Sequence, residues 1–309
     1  MLPFFTSCAN VPRRSDHSTM TIAACYLTPE GVVFGADSTA TIEGPNHDPH
    51  FFDFGQKIFE LGTEATLGAI TWGLGQLPSA ISYRTMFAEL ADDLKATPPA
   101  TVADAAQRWA NKFWSQYVHD VGGAYRQQLA AAQSTEEKTE LEARLVNTRV
   151  GFCIAGVTLP NRRPAAFELE FSAEADAAPT PAKIPMGRAV FKGQPNLIER
   201  LLYGIDPELL DEILRSPKWT GTEEDMAKLV ERHYHDQPTM LPIRDAIDWI
   251  HSCIQSTVKG VKFSPLSRFC GGPIEIAVIT SDRPFRWVRH KTLDAAIADD
   301  TNTTHPEAL

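Results

Sequence analysis

The chain has little of what marks several large protein classes. Its five cysteines (Cys8, Cys25, Cys153, Cys253, Cys270) are odd in number and widely spread. None stands in a CxxC pair, so neither a disulfide framework nor a zinc site of that type is expected. This spacing suits a reducing compartment and predicts a cytoplasmic protein. No apolar run reaches the ~18–20 residues of a spanning helix, so no membrane segment is expected. Positive charge is also scarce. With 29 Lys and Arg against 39 Asp and Glu, the formal net charge is -10. Nucleic acids and anionic membranes call for a basic surface, so neither is an expected partner. The chain contains no GxSxG elbow, no P-loop lysine after "GLGQLPS" and no dinucleotide fingerprint. No cofactor and no metal are therefore expected. His47, His50, Asp48 and Asp53 do share one loop, but Pro-bounded polar loops gather such residues readily.

What is present begins with residues 1–20. They carry two phenylalanines but no basic n-region and no apolar h-region, so they do not read as a signal peptide. From Ser18 to Thr41 the chain reads "STMTIAACYLTPEGVVFGADSTAT". Two short apolar strands join there at Pro29, Glu30 and Gly31. Further strand signals follow in "KIFEL" and "ATLGAITWGL". Near Pro78 the period changes to that of a helix, with Ile81, Met86, Phe87, Leu90 and Leu94 on one stripe. A second stripe runs Val102, Ala106, Trp109, Phe113 and Tyr117. The stretch "RQQLAAAQSTEEKTELEARL" reads as a solvated helical extension. Strands return at "RVGFCIAGV" and "AAFELEF", and residues 172–183 read as a loop. Helices resume after Pro195 and again over Ile243, Ile247, Ile250, Ile254 and Val258. "PIEIAVIT" is the last strong strand, and a polar tail starts near Lys291. The order is strands, helices, strands, helices, strand. It lacks βαβα alternation and so predicts an α+β fold with antiparallel sheet.

The opening stretch resembles the start of mature proteasome β subunits and of the related bacterial ATP-dependent peptidase. Those chains begin at a catalytic Thr and return through "GADxxAT". Here Gly31, Gly35, Ala36, Asp37, Ala40 and Thr41 match. With Thr21 in the first position, Asp37 falls on the family's acidic position without a gap. Lys57, in "QKI", resembles the family lysine and stands four residues later, after a longer loop. "TWGLGQLPSA" offers Gly75 for the oxyanion glycine, with Gly73 as competitor, and "RFCGGPIEIAVITSD" resembles the late Ser-Gly-Gly segment. The match spans roughly residues 21–285.

The resemblance implies an N-terminal-nucleophile (Ntn) hydrolase fold over residues 21–290: a four-layer αββα sandwich of two antiparallel sheets between helical layers. Residues 120–148 and 205–240 would be added helical insertions, and 291–309 a polar tail. It implies a threonine peptidase acting on peptides or proteins, assembled as a homo-oligomer (a ring in the family) with a possible ATPase partner. Thr21 would be nucleophile and Asp37 and Lys57 its supports. Gly75 would serve the oxyanion, and Ala40, Thr41 and Gly73 would contact substrate. The accessory positions are Ser267 and Cys270, where the family has Asp and Ser. The chemistry needs a free amine on Thr21. Three alternatives stay open for residues 1–20: a start at Met20, a cleaved propeptide, or a retained leader. The last would fit a non-catalytic structural subunit. An Ntn amidase acting on a small metabolite is the other alternative.

Overall fold

The structure is a computed structural model that describes residues 21–43, 49–62, 65–79, 81–235, 237–264 and 270–291. It opens with the expected hairpin, β1 (Ile22–Thr28) and β2 (Gly31–Ala36). The turn is closed by the Thr28 hydroxyl, which accepts from Glu30 N (3.1 Å) and Gly31 N (3.2 Å). A ribbon follows, β3 (Ala40–Glu43) with β4 (Pro49–Phe52), where the sequence suggested only a long loop. Next come β5 (Ile58–Glu60), β6 (Leu67–Gly73), α1 (Tyr83–Ala96) and α2 (Val102–Tyr117). A π-helical turn at Val118–Gly122 leads to α3 (Gly123–Ala131) and α4 (Thr135–Leu145). Then follow β7 (Val150–Gly156), β8 (Ala165–Phe171), β9 (Ala182–Lys183) and β10 (Ala189–Gly193). The remainder is α5 (Asn196–Tyr203), α6 (Pro207–Arg215), α7 (Glu223–Glu231), α8 (Ile243–Lys262), β11 (Glu275–Thr280) and β12 (Arg283–Arg289).

All strand pairings among the described residues are antiparallel. One five-stranded sheet has the order β10-β1-β2-β11-β12 and the other β5-β6-β7-β8-β9. With its helices the molecule is α+β, as the element order predicts. β1 and β2 are buried along their whole length. An antiparallel strand with both faces buried needs a cover on each side, and alternate residues find one. Ala23, Cys25 and Leu27 join Ile58, Ile70, Cys153 and Ala155 of the second sheet. Ile22, Ala24 and Tyr26 join Ala246, Ile250 and Ile254 of α8 and Ile198 of α5.

The second sheet is treated alike. Its other face carries Phe152, Leu169 and Phe171 against Met86, Phe87, Leu90, Trp109 and Phe113 of α1 and α2. Trp109 is the hub there. Its ring stacks on Phe87 at 3.9 Å and meets Phe152 edge-on at 5.0 Å. Helix starts follow local chemistry, because the Ser82 and Thr101 hydroxyls accept from Thr85 N and Asp104 N. α3 buries nothing, in keeping with a solvated extension. The helix α7 falls within the expected helical insertion over 205–240, whereas no sequence signal marks the strands β9, at the end of the stretch that reads as a loop, β10 and β12.

Trp109→Ala should lower unfolding free energy by about 3–5 kcal/mol, read from urea denaturation. Trp109→Phe should cost much less, since it keeps the stack and removes an indole N–H that has no partner among the described residues.

Candidate active site

The two-residue turn fixes the hairpin register, which pairs Ala23 with Ala36. The register therefore sets Asp37 opposite Ile22, at the open end of the hairpin. Asp37 N donates to Ile22 O at 3.1 Å, and Ile22 N donates back to Asp37 Oδ1 at 3.0 Å. Thr21 stands at the same end, 3% exposed, and its Oγ1 donates to Asp37 Oδ1 at 2.8 Å.

Lys57 arrives from the other sheet. It precedes β5, where Thr71 N of β6 donates to its carbonyl at 3.0 Å. Its ammonium crosses to Asp37 Oδ1 at 2.5 Å and also donates to Thr39 O at 2.6 Å. Asp37 is fully buried and Lys57 nearly so. The second Asp37 oxygen accepts from Gly271 N (2.9 Å) and Thr39 N (3.3 Å). Five donors thus meet one carboxylate. Burial pushes the Lys57 pKa below the usual lysine value, against the pull of Asp37, and the charge of Lys291 adds to the lowering.

Cys270, next to this cluster, is buried, and burial pushes its thiol up to about 12, with the Asp37 charge adding to it. It is a neutral thiol at pH 7 and not a thiolate nucleophile. Ser267, the other accessory position, lies outside the described residues. So do His47 and Asp48. Of their loop partners, Asp53 accepts from the Thr39 hydroxyl at 3.3 Å and His50 packs edge-on against Phe52.

Gly193 shows why the β10 edge carries a glycine. It has φ +90°, and a Cβ there would meet Thr21 O at 2.1 Å. That close approach lets Gln194 N donate to Thr21 O at 2.8 Å. Beside it, Lys192 contacts Glu168 and Glu170 and lies 5.6 Å over the Trp72 ring.

The glycines of "TWGLG" are less closely tied to Thr21. Gly73 ends β6 at φ +84°, and a Cβ would strike Arg149 O at 2.4 Å, so its missing side chain makes room for backbone. Gly75 is exposed on the loop beyond, with open space around it. No hydrogen bond among the described residues joins either glycine to Thr21. Ala40 and Thr41 lie on β3, whose other edge carries no strand among the described residues. Thr41 Oγ1 is buried and has no partner among the described residues.

Sequence reasoning missed two groups. Glu275 of β11 is fully buried, and Lys291, assigned to the polar tail, is 9% exposed. The signal was the Glu inside "PIEIAVIT". A carboxylate in an otherwise apolar strand needs a buried partner.

Asp37→Ala should cost about 3–5 kcal/mol, because it strands the Lys57 charge and frees three backbone N–H groups. Lys57→Met should cost less, since four donors remain on Asp37. Urea unfolding of both variants checks the order.

No family model matches the chain, and no curated protein matches it.

Proposed function

We propose that this chain is a threonine-type Ntn hydrolase that cleaves peptide bonds through Thr21. One observation carries the reading. The Thr21 hydroxyl and the Lys57 ammonium, from two different sheets, converge on one oxygen of the buried Asp37. The layering supports it too. Clusters of α1 and α2 outside one sheet, sheet against sheet, and α5 and α8 outside the other agree with a four-layer αββα sandwich.

With Thr21 as first residue, its own α-amino group is the base, titrating near ~7.7–8. Oγ1 attacks the amide carbonyl carbon and its proton passes to that amine. The amine then protonates the leaving nitrogen as the C–N bond breaks, giving an ester on Thr21. Water, activated by the same amine, hydrolyses the ester. The Lys57 ammonium holds the amine pKa down by like-charge repulsion, and Asp37 keeps Lys57 in place. Gly75 N–H serves the developing oxyanion in this scheme. An extended substrate would add to the free edge of β3 at Ala40 and Thr41.

A second reading, a non-catalytic structural subunit, is favoured by the saturation of Asp37. Five donors make a complete structural ion pair without any use of a Thr21 amine.

N-terminal sequencing and intact mass of the purified protein separate the two. The hydrolase reading expects a mature chain beginning at Thr21 that gains one β-lactone adduct on that residue. Thr21→Ala should abolish the adduct and cut peptide hydrolysis at least about a thousandfold. A mature chain that retains residues 1–20 and takes up no label would leave the structural reading standing.

Thr41→Val should raise KM for an extended peptide about two- to tenfold with kcat unchanged, if its buried hydroxyl serves the substrate strand. Folded stability should not fall, since the hydroxyl has no partner to lose among the described residues.

A further inference from the structure

A second buried ion pair stands behind the first. The Lys291 ammonium donates to Glu275 Oε2 at 2.7 Å, to Gly55 O at 2.8 Å and to Ser38 Oγ at 3.4 Å. Glu275 pairs with Ala36 across β11 and β2, one residue before Asp37. Its other oxygen lies 2.6 Å from His290 Nδ1, and the His290 ring stacks on Trp287 at 4.1 Å. Of the three residues that Lys291 grips, Ser38 and Gly55 tie it to the Thr21 site. Ser38 follows Asp37 directly, and Gly55 lies two residues before Lys57. They are also joined to each other, because Gly55 N donates to Ser38 O at 2.7 Å.

We propose that Lys291 is a positioning residue for the Thr21 site. Its ammonium, neutralised by Glu275, clamps together the two chain segments that deliver Asp37 and Lys57. The proposal rests on the hydrolase reading. The clamp is suited to that task because the two segments belong to different sheets, and β3 and β4, which lie between them in the chain, pair with each other and join neither five-stranded sheet. Asp37 extends β2 of one sheet and Lys57 leads into β5 of the other. A charged group buried at the join holds both ends.

The clamp also bears on charge. The groups facing Lys57 are Asp37 and Cys270, with Lys291 behind them. Those facing Lys291 are Glu275 and, through it, His290. The two lysines and two carboxylates balance, and the like charge of Lys291 lowers the Lys57 pKa. Removing Lys291 should therefore raise the Lys57 pKa and carry the alkaline limb of the reaction to higher pH.

The test follows acylation of Thr21 by a β-lactone, with mass detection, from pH 6 to 10 in the processed protein. Lys291→Met should slow acylation at least about tenfold at pH 7.5 and move the alkaline limb upward. Lys291→Arg, which keeps the charge and donors, should recover most of the rate. Wild-type rate and an unchanged profile in K291M would overturn the proposal. So would equal losses in K291M and K291R with no change in profile, which is what a merely structural role gives. Should K291M not fold, His290→Ala removes only the outer partner of Glu275. It should still slow acylation about two- to threefold and shift the limb, and no effect there overturns the proposal. Wild-type protein with a free Thr21 amine that takes no label would refute the hydrolase reading itself, and the clamp's catalytic role with it. A labelled wild type with an indifferent K291M refutes the clamp alone.

Discussion

The Asp37 carboxylate is the constraint on which the site depends. A bare carboxylate in a fully buried position is costly, and only a complete set of donors offsets that cost. Asp37 has such a set, and the donors come from every side. Thr21 and Ile22 lie on its own hairpin, Thr39 on the segment beyond, Gly271 before β11, and Lys57 on the other sheet. Satisfying one anion thus fixes four stretches of chain relative to one another. Any shift of the two sheets would pull Lys57 from Asp37 and expose both charges to an apolar interior.

The local parts of this arrangement were legible in the sequence because they depend on short-range rules. A Pro-Glu turn between two apolar runs predicts the hairpin, but that its register brings Thr21 and Asp37 together is legible only through the resemblance. The stripe Val102, Ala106, Trp109, Phe113 and Tyr117 gives α2 because buried side chains at steps of three and four need a helix. Lys57 was reached only through resemblance. Nothing in "GQKIFE" indicates that its ammonium leaves one sheet for the other.

The parts that stayed hidden depend on contacts distant in sequence. β4 was read as loop because "PHFF" is too short to show a period, and it becomes a strand by pairing with β3. β12, "RPFRWVR", is half charged and reads as surface. Its pairing with β11 makes it a strand, and Phe285 and Trp287 reach the core between the sheets. Lys291 follows that strand, so missing the strand meant placing Lys291 in a tail. The polarity of a residue indicated its exposure only where no buried partner waited for it.

The two ion pairs together explain how this interior tolerates so much charge. Either lysine alone would leave a buried cation, and either carboxylate alone a buried anion. Two of each, alternating through Ser38 and Gly55, leave no net charge. The balance is local, so each pair confines the other. Lys57 cannot move toward solvent without leaving the Asp37 charge to neutral donors, and Lys291 cannot leave without taking its ammonium from Glu275. Such a lattice resists rearrangement better than it adds net stability, because buried pairs contribute little over apolar packing and cost much when half broken. An interior that only had to be stable would be served by leucine and valine at these positions. One that must hold a hydroxyl and an ammonium within 3 Å of the same oxygen needs fixed charges, and the fold supplies them where its two sheets meet.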